Sequence, residues 1–158
     1  MTLSITRTKV HYIALFFSVI LFAPLIGNQL ITGTIVNAIL FSATVIIGLR
    51  AGFILSIVPS IVAIATGLLP IVLAPIIPYI VISNIILVTV FSKIENKILA
   101  MVVASMAKFA FLFIISHFVL TYLINSNLLA IMFSYTQLFT AIMGGSLALL
   151  LLKLYGKK

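Results

Sequence analysis

The chain has 158 residues, of which 65% are hydrophobic and only 6% are charged, with a mean hydropathy of +1.47. Soluble domains are about 25% charged, so this composition excludes a water-facing surface and indicates an integral membrane protein whose solvent is the lipid bilayer. The net charge of +8 comes from nine Lys and Arg against one acid, Glu95. Its cations cluster at predicted helix ends, as anionic lipid favours, and we therefore expect no nucleic-acid partner.

Apolar runs alternate with short connections along the chain. A spanning helix needs about 20 apolar residues, and six of them use nearly all of the sequence, so we predict an all-α fold, a single bundle of six transmembrane helices. The predicted helices cover about residues 11–26, 31–49, 52–66, 76–91, 98–123 and 128–154. The first follows a basic start but lacks a clean small-residue cleavage site and precedes five further apolar runs, so we interpret it as a retained helix rather than a signal peptide.

The connections between these helices are marked by breakers and polar residues. Gly27, Asn28 and Gln29 begin the first connection, and a tight turn over 48–52 joins helices 2 and 3. Pro59 lies inside helix 3, where neighbouring helices can tolerate a kink. The stretch 67–75 is apolar but rich in breakers and suits a loop that dips into the interface.

The distribution of cations predicts the orientation. Every second connection is basic and the other three carry no Lys or Arg, which is the pattern that the positive-inside rule requires. Both termini are therefore predicted to lie in the cytoplasm, with an even number of crossings of the plasma membrane. The cations that mark this side are Arg7, Lys9, Arg50, Lys93, Lys97, Lys153, Lys157 and Lys158.

Lys108 is the one cation that does not lie at a predicted helix end. It follows Lys97 by eleven residues, or about 16 Å of helix, near the bilayer centre. A lysine there costs at least about 2.5–3.5 kcal/mol, and the chain has no intramembrane carboxylate to pair with it. Three interpretations are open: the lysine binds an anionic ligand or a polar partner group, it is neutral, or its stem extends toward the cytoplasm.

Other polar side chains fall within the predicted helices. Asn37, Asn84 and Gln137 lie at similar depth in helices 2, 4 and 6, and His117 lies toward the outer end of helix 5. These groups either bond neighbouring helices to one another or line a polar pocket open to the outside. Tyr79 either stacks on a planar ligand in that pocket or belongs to the aromatic belt at the interface.

Small residues form stripes on two helices. Ala14 and Ser18 make a small-xxx-small pair in helix 1, and helix 6 carries a stripe of small residues over 141–148. Such stripes allow close approach of helices. For helix 6 the pattern favours packing inside the bundle, and for helix 1 internal packing and docking on another membrane protein are equally compatible with it.

Several kinds of chemistry are excluded by missing residues. There is no Cys and no Asp, so neither a thiolate metal site nor a Ser/His/Asp set can be assembled. No phosphate-binding GxxxxGK[ST] loop occurs, and no paired carboxylates are available for acid–base work. We therefore expect that the chain is not an enzyme and holds no metal and no cofactor.

The pattern resembles the S components of energy-coupling factor transporters. The similarity covers about 37–91 and 108–152, and it is carried by the phrases at 48–52 (GLRAG), 83–88 (SNIILV), 108–109 (KF) and 137–145 (QLFTAIMGG). The resemblance implies an S-component-like bundle of six helices. It implies a subunit that binds a small micronutrient, a vitamin or cofactor precursor, and delivers it for uptake.

The resemblance also implies partners and site positions. The partners would be a transmembrane T component and two ATPase subunits, with the scaffold contacting Ala14 and Ser18. The pocket would open outward and be covered by the connection that contains Asn28. Substrate-binding candidates are Lys108, Asn84, Gln137, Asn37, His117, Tyr79 and Asn28, and Lys108 favours an anionic substrate. The alternatives are a structural or assembly subunit of a larger membrane complex, and a small stand-alone channel or exporter.

Overall fold

The computed structural model describes residues 2–67, 71–117 and 135–155. The described residues form six α-helices and two short 3-10 helices and contain no strand, which confirms the all-α prediction. The α-helices are α1 (Thr2–Phe22), α2 (Gln29–Ile46), α3 (Leu49–Ala65), α4 (Ile77–Lys93), α5 (Lys97–Ile115) and α6 (Tyr135–Tyr155). The 3-10 helices are Ala23–Ile26 and Ile71–Ile76.

Some helix ends differ from the predicted ones. α1 begins at Thr2 rather than near residue 11, because polar residues before an apolar run can continue a helix into the interface. The segment over 71–76 is a 3-10 helix rather than an irregular loop. The predicted end of helix 5 at 123 and the predicted start of helix 6 at 128 lie outside the described residues.

Asparagine side chains begin two of the helices. The Asn28 Oδ1 atom accepts hydrogen bonds from the backbone N–H groups of Leu30 and Ile31, at 3.0 and 3.2 Å. Asn96 caps α5 in the same way, with 3.1 Å to each of two N–H groups. The first N–H groups of a helix have no partner within it, so each asparagine defines where its helix starts.

Glycine makes the turn between α2 and α3 possible. Gly48 has a φ of +124°, a backbone conformation that residues with a Cβ atom rarely adopt. The chain therefore reverses direction between Ile46 and Leu49, and α3 returns along α2 without a loop. This turn also leaves Arg50 exposed at the end of the bundle.

The most extensive helix contact is between α2 and α6, which run in the same direction. A Cβ atom on Gly33 would lie 3.1 Å from Thr140, and one on Gly144 would lie 2.7 Å from Asn37 Cβ. Later residues of α2 thus meet later residues of α6. Gly145 touches Phe41 and Met101, so the small residues of α6 face the bundle interior, as predicted for this helix.

Consecutive helices along the chain are antiparallel. α3 meets α4 with Gly52 beside Val88 and with Ser56 bonded to Asn84, so early residues of one helix face late residues of the other. Thr32, near the start of α2, bonds to Ala23, which follows the end of α1. Phe109, late in α5, stacks on Tyr135 at the start of α6, so these two pairs of helices are antiparallel as well. Helices α1, α3 and α5 therefore run one way, and α2, α4 and α6 run the other.

This alternation places four cations at one end of the bundle. Arg50 lies at the start of α3, Lys93 and Lys97 flank the α4–α5 link, and Lys153 lies in the last turn of α6. All four are exposed. We call this end, defined by these four residues, the basic end. The opposite end is the uncharged end, where α2, α4 and α6 begin.

Within the described ranges, four helical segments are long and apolar enough to cross a membrane: Gln29–Ile46, Ala74–Lys93, Lys97–Ile115 and Tyr135–Leu154. The apolar segments Val10–Ile26 and Leu49–Ala65 are shorter. Large apolar side chains cover the outer surface, including Ile54 at 65% and Ile61 at 58% exposure. These features identify a multi-pass membrane protein, because lipid is the solvent in which such a surface is stable.

The interior is built around two aromatic rings. Phe41 of α2 and Phe91 of α4 are almost fully buried, and their ring centroids are 4.6 Å apart at an interplanar angle of 67°. This edge-to-face arrangement is favourable for aromatic pairs. Phe41 and Phe91 lie nearer the basic end than the polar residues of the next section.

Candidate functional site

Four helices place polar side chains at one depth in the bundle. Asn37 lies eight residues after the start of α2, Asn84 seven after the start of α4, and Lys108 seven before the end of α5. At 1.5 Å per residue these positions lie about 10–12 Å from the uncharged end. Thr140 of α6 lies somewhat nearer that end. Helix geometry therefore brings residues distant in sequence into one polar layer.

Lys108 is the centre of this layer. Its side chain is 4% exposed, and the Nζ atom donates hydrogen bonds to Asn37 Oδ1 at 2.8 Å and to Asn84 Oδ1 at 2.7 Å. Both distances are typical of strong, charge-assisted bonds. An ammonium group has three donors, and the described residues supply acceptors for two of them.

The two amides are held in orientation by their other ends. Asn37 Nδ2 donates to Thr140 Oγ1 at 3.4 Å, and Asn84 Nδ2 donates to the backbone carbonyl of Ser56 at 3.3 Å. Thr140 in turn donates to the carbonyl of Gln137 at 3.2 Å. Rotating either amide by 180° would direct its NH₂ group at the ammonium, so these outer bonds keep both carbonyl oxygens on Lys108. We call Lys108, Asn37, Asn84 and Thr140 the polar cluster.

Glycine allows α6 to come close to this cluster. Gly144 is buried, and a Cβ atom added there would lie 2.6 Å from the carbonyl oxygen of Thr34 and 2.7 Å from Asn37 Cβ. Real Cβ atoms do not approach other atoms so closely, so only glycine fits. The close approach of the two backbones lets Thr140 reach the Asn37 amide.

The polar cluster contains no negative charge. Glu95, the one acid of the chain, is exposed in the link between α4 and α5 at the basic end, about eleven residues of helix away from Lys108. The cluster thus offers amide and hydroxyl groups to a lysine in a low-dielectric interior, where transferring an unpaired ammonium from water is costly.

Two further buried hydroxyls lie on α5, which carries Lys108, and on α3, whose Ser56 carbonyl accepts from Asn84. Ser105 precedes Lys108 by one turn of α5, and Ser60 follows Ser56 by one turn of α3. Both are buried, and neither Oγ atom has a hydrogen-bond partner among the described residues. Most helical hydroxyls of this chain bond to a backbone carbonyl of the preceding turn, as Thr44 does to Leu40 at 2.7 Å. The interior therefore holds spare donors on two helices.

The sequence-predicted candidates do not all meet. Lys108, Asn37 and Asn84 bond to one another, and Gln137 joins through its backbone carbonyl. His117 is exposed, stacked on Phe113 with ring centroids 6.4 Å apart.

The remaining candidates lie closer to the uncharged end. Tyr79 is half-buried in the first turn of α4, and Asn28 is exposed and caps α2. Tyr79 precedes Asn84 by five residues, and Asn28 precedes Asn37 by nine. These positions lie at the level where a ligand approaching the polar cluster from the uncharged end would pass.

Sequence reasoning did not select Thr140 and Ser56. Thr140 lies three residues after Gln137 and therefore on the same helix face. This spacing is the one sequence feature that could have identified it. Ser56 acts through its backbone carbonyl, which no side-chain pattern indicates. Pro59 three residues later is the one hint, because proline inside a helix disturbs the hydrogen bonds of the preceding turn and leaves carbonyls for neighbouring helices.

The two predicted small-residue stripes have different surroundings. Ala141, Gly144, Gly145 and Ala148 of α6 are buried, so internal packing is confirmed for that helix. Ala14 and Ser18 of α1 are exposed, and Ser18 Oγ donates to the Ala14 carbonyl at 2.8 Å. The α1 pair therefore faces away from the described bundle.

No group of three His, Cys, Asp or Glu side chains suited to a metal ion occurs among the described residues. Comparisons of the chain with protein-family models, curated proteins and solved structures find no match. Among the described residues, the polar cluster is the main candidate for a functional site, because a lysine is buried there with amide partners and no counter-charge.

Proposed function

We propose that this chain is the substrate-binding subunit of a membrane uptake system, similar to the S components of energy-coupling factor transporters. In this proposal all six helices cross the plasma membrane, with the basic end and both termini in the cytoplasm. The subunit captures a small solute, a vitamin or cofactor precursor, at the uncharged end. Separate ATPase subunits drive its uptake.

The single observation that carries the proposal is the burial of Lys108 without a counter-charge. Placing lysine at the centre of a membrane helix costs at least about 2.5–3.5 kcal/mol. A hydrogen bond inside a membrane protein returns about 0.6 kcal/mol on average and up to about 1.7 kcal/mol. At the average value, the two bonds to Asn37 and Asn84 offset about 1 kcal/mol of this cost. Ionisable groups inside membranes mark functional sites, and substrate or ion pathways are among them.

The balance of donors and acceptors favours an anionic solute. Lys108 has one donor beyond those used on the asparagines, and Ser60 and Ser105 have hydroxyls without partners. A carboxylate or phosphate offers only acceptors, so it can accept from the third donor of Lys108 and neutralise the ammonium. A cationic solute would instead meet an ammonium in a low-dielectric site and be repelled.

The position of the cluster fits entry from the uncharged end. Asn37 lies eight residues after the start of α2 and nine before its end, and Asn84 lies seven residues after the start of α4 and nine before its end, so the cluster lies slightly nearer the uncharged end. In the proposed orientation the shorter path faces the outside. A solute would pass Tyr79 and Asn28 before reaching the lysine, consistent with their assignment as site residues.

The surface of α1 supports a partner subunit. Ala14 and Ser18 are exposed although small residues in membrane helices usually serve close packing, and Leu15 and Phe17 beside them are 55% and 43% exposed. In the proposed assembly this face packs on the transmembrane T component, to which the two ATPase subunits attach. The chain itself carries no ATP-binding loop of the GxxxxGK[ST] type.

Co-purification tests the proposal directly. Tagged full-length protein, extracted in mild detergent from its native host, should retain a small molecule that mass spectrometry of the denatured sample can identify. The variant Lys108→Met should lose that molecule, and Lys153→Met, the same change at an exposed position of the basic end, should retain it. Loss from both variants, or from neither, would contradict the role assigned to Lys108.

A second candidate is a structural subunit of a larger membrane complex. The observation that favours it is that Lys108, Asn37 and Asn84 already bond to one another, at 4% exposure or less. Under this alternative the cluster only holds α2, α4 and α5 together. The tagged protein would then retain other membrane proteins but no small molecule, and Lys108→Met would leave the set of retained proteins unchanged.

A further inference from the structure

A second feature of the bundle, unrelated to the polar cluster, is an apolar groove between α1, α2 and α6. It encloses about 180 Å³ and is lined by Tyr12, Leu15 and Phe16 of α1, Ser42 and Ile46 of α2, and Leu152 of α6. Ile46 is the last residue of α2, and Leu152 lies one turn from the end of α6. The groove therefore lies in the half of the bundle nearer the basic end.

The groove is open to the surrounding membrane. Leu15 and Leu151, which form its rims, are 55% and 50% exposed. One turn of a packed α-helix, about 10 Å across and 5.4 Å high, occupies roughly 400 Å³, which is more than twice the volume of this groove. A single hydrocarbon chain is narrow enough to enter it.

A polar atom interrupts the apolar wall. Ser42 is 4% exposed, lines the groove, and its Oγ atom has no hydrogen-bond partner among the described residues. Thr44 on the same helix satisfies its hydroxyl on the carbonyl one turn earlier, so the helix itself does not prevent that bond at Ser42. A buried hydroxyl without a partner is costly, and an acceptor on a molecule in the groove would remove this cost.

Positive charge lies at the same end. Lys153 follows Leu152 directly, Arg50 lies four residues beyond Ile46, and both are exposed. The one acid of the chain, Glu95, belongs to the separate link between α4 and α5. An amphipathic molecule whose chain lies in the groove would thus have its head group next to two cations, and anionic head groups fit this arrangement.

We propose that this groove binds one anionic phospholipid of the adjoining leaflet. The acyl chain lies along Leu15, Phe16 and Leu152, and the Ser42 hydroxyl donates to an ester carbonyl of the lipid. The phosphate lies beside Lys153 and Arg50. This site shares no residue with the polar cluster, but its rim residue Leu15 also belongs to the face of α1 that the proposed assembly places on the T component.

Native mass spectrometry of the full-length protein in detergent tests the site. The probes are phosphatidylglycerol and phosphatidylcholine with identical acyl chains, added at equal concentration to delipidated protein. One cation near an anionic head group contributes a factor of about five in affinity, so phosphatidylglycerol should be retained at least about fivefold more. Equal retention of the two lipids would overturn the proposal.

Matched variants locate the binding. Leu15→Trp fills the groove from its exposed rim and should abolish the preference, whereas Ile61→Trp, at an equally exposed position of α3, should not. Lys153→Gln should reduce retention of phosphatidylglycerol by a factor of about five, and Lys93→Gln should leave it unchanged. Equal effects of a groove variant and its control would overturn the site.

The Ser42 bond has its own test. Ether-linked phosphatidylglycerol lacks the ester carbonyl, so the wild-type protein should retain it about fivefold less than the ester-linked lipid, as expected for one hydrogen bond. Ser42→Ala should remove this difference. The assigned bond would be refuted if the wild-type protein retained both lipids equally, or if the difference persisted in Ser42→Ala. A dimer that is lost in Leu15→Trp would show that a second copy of the chain, rather than a lipid, fills the groove.

Discussion

Mutation of Asn84 should destabilise the bundle, whereas mutation of Lys108 should change its stability little, and the structure explains why. Replacing Asn84 by leucine removes one of the two acceptors of the ammonium and the bond to the Ser56 carbonyl, while the charge remains buried. Replacing Lys108 by methionine removes the charge itself and leaves two amide oxygens without a donor. A buried charge without its partner costs more than a buried amide without its partner.

The expected change in the free energy of unfolding follows from the hydrogen bonds that each substitution removes. Two hydrogen bonds inside a membrane bundle are worth about 1–3 kcal/mol, and the weakened solvation of the ammonium adds to the loss in Asn84→Leu. We expect Asn84→Leu to lower the free energy of unfolding by about 2–4 kcal/mol. Lys108→Met recovers at least about 2.5–3.5 kcal/mol of lysine burial, but it loses two bonds and leaves two buried amide oxygens unpaired, which costs about 1–3 kcal/mol more. Its net effect should therefore be close to zero.

The double variant provides the decisive comparison. Lys108→Met combined with Asn84→Leu should be about 2 kcal/mol more stable than Asn84→Leu alone, because no charge is left unpaired. The assay is unfolding of the purified protein by increasing mole fraction of dodecyl sulfate, followed by far-UV circular dichroism. The exposed exchange Lys153→Met is the control and should change little. Strictly additive effects, or a greater loss from Lys108→Met than from Asn84→Leu, would refute this account of the cluster.

Three other predictions concern packing, capping and topology. Gly144→Ala should destabilise the bundle by about 1–3 kcal/mol in the same unfolding assay, because the new Cβ atom would lie 2.6 Å from the Thr34 carbonyl oxygen. Asn96→Ala should cost about 1 kcal/mol through loss of the α5 cap. Cysteines introduced at Glu95 and Gln29, in this otherwise cysteine-free chain, should react with an impermeant maleimide from opposite sides of the membrane, Gln29→Cys from outside.

Controls separate these effects from general damage. Ala at the exposed Ser146 of α6 should have little effect on stability, in contrast to Gly144→Ala. Asn96→Asp keeps an acceptor at the cap and should retain most of the stability that Asn96→Ala loses. If Glu95→Cys were labelled from outside in intact cells, the proposed orientation would be wrong, and a solute entering at the uncharged end would have to come from the cytoplasm.

Much of the architecture could be predicted from hydropathy and charge. Apolar runs separated by Gly, Pro and Asn indicated helices, because in lipid every backbone polar group must be satisfied within its own segment. The cations at every second connection predicted antiparallel neighbours, and the packing of the described helices agrees with it. The deep position of Lys108 followed from its distance to Lys97 along one helix.

The partners of the buried lysine could be predicted only as a set of candidates. Asn37, Asn84 and Gln137 were predicted at similar depth, but depth does not specify which helices are neighbours. α5 packs against α4 and α6, and this arrangement turns Lys108 toward the two asparagines. The ring of His117, nine residues later on the same helix, instead stacks on Phe113.

The sequence by itself therefore determined which segments are helical, that lipid is their solvent, and which of their ends carry positive charge. These properties depend on residues close together in the chain, through hydropathy and local hydrogen bonding. Only the tertiary structure decided that the Lys108 ammonium meets two amide oxygens and that the Ser42 hydroxyl meets none of the described groups. Those contacts depend on helix rotation and on backbone approach at Gly144, where steric fit between distant segments, rather than local pattern, sets the geometry.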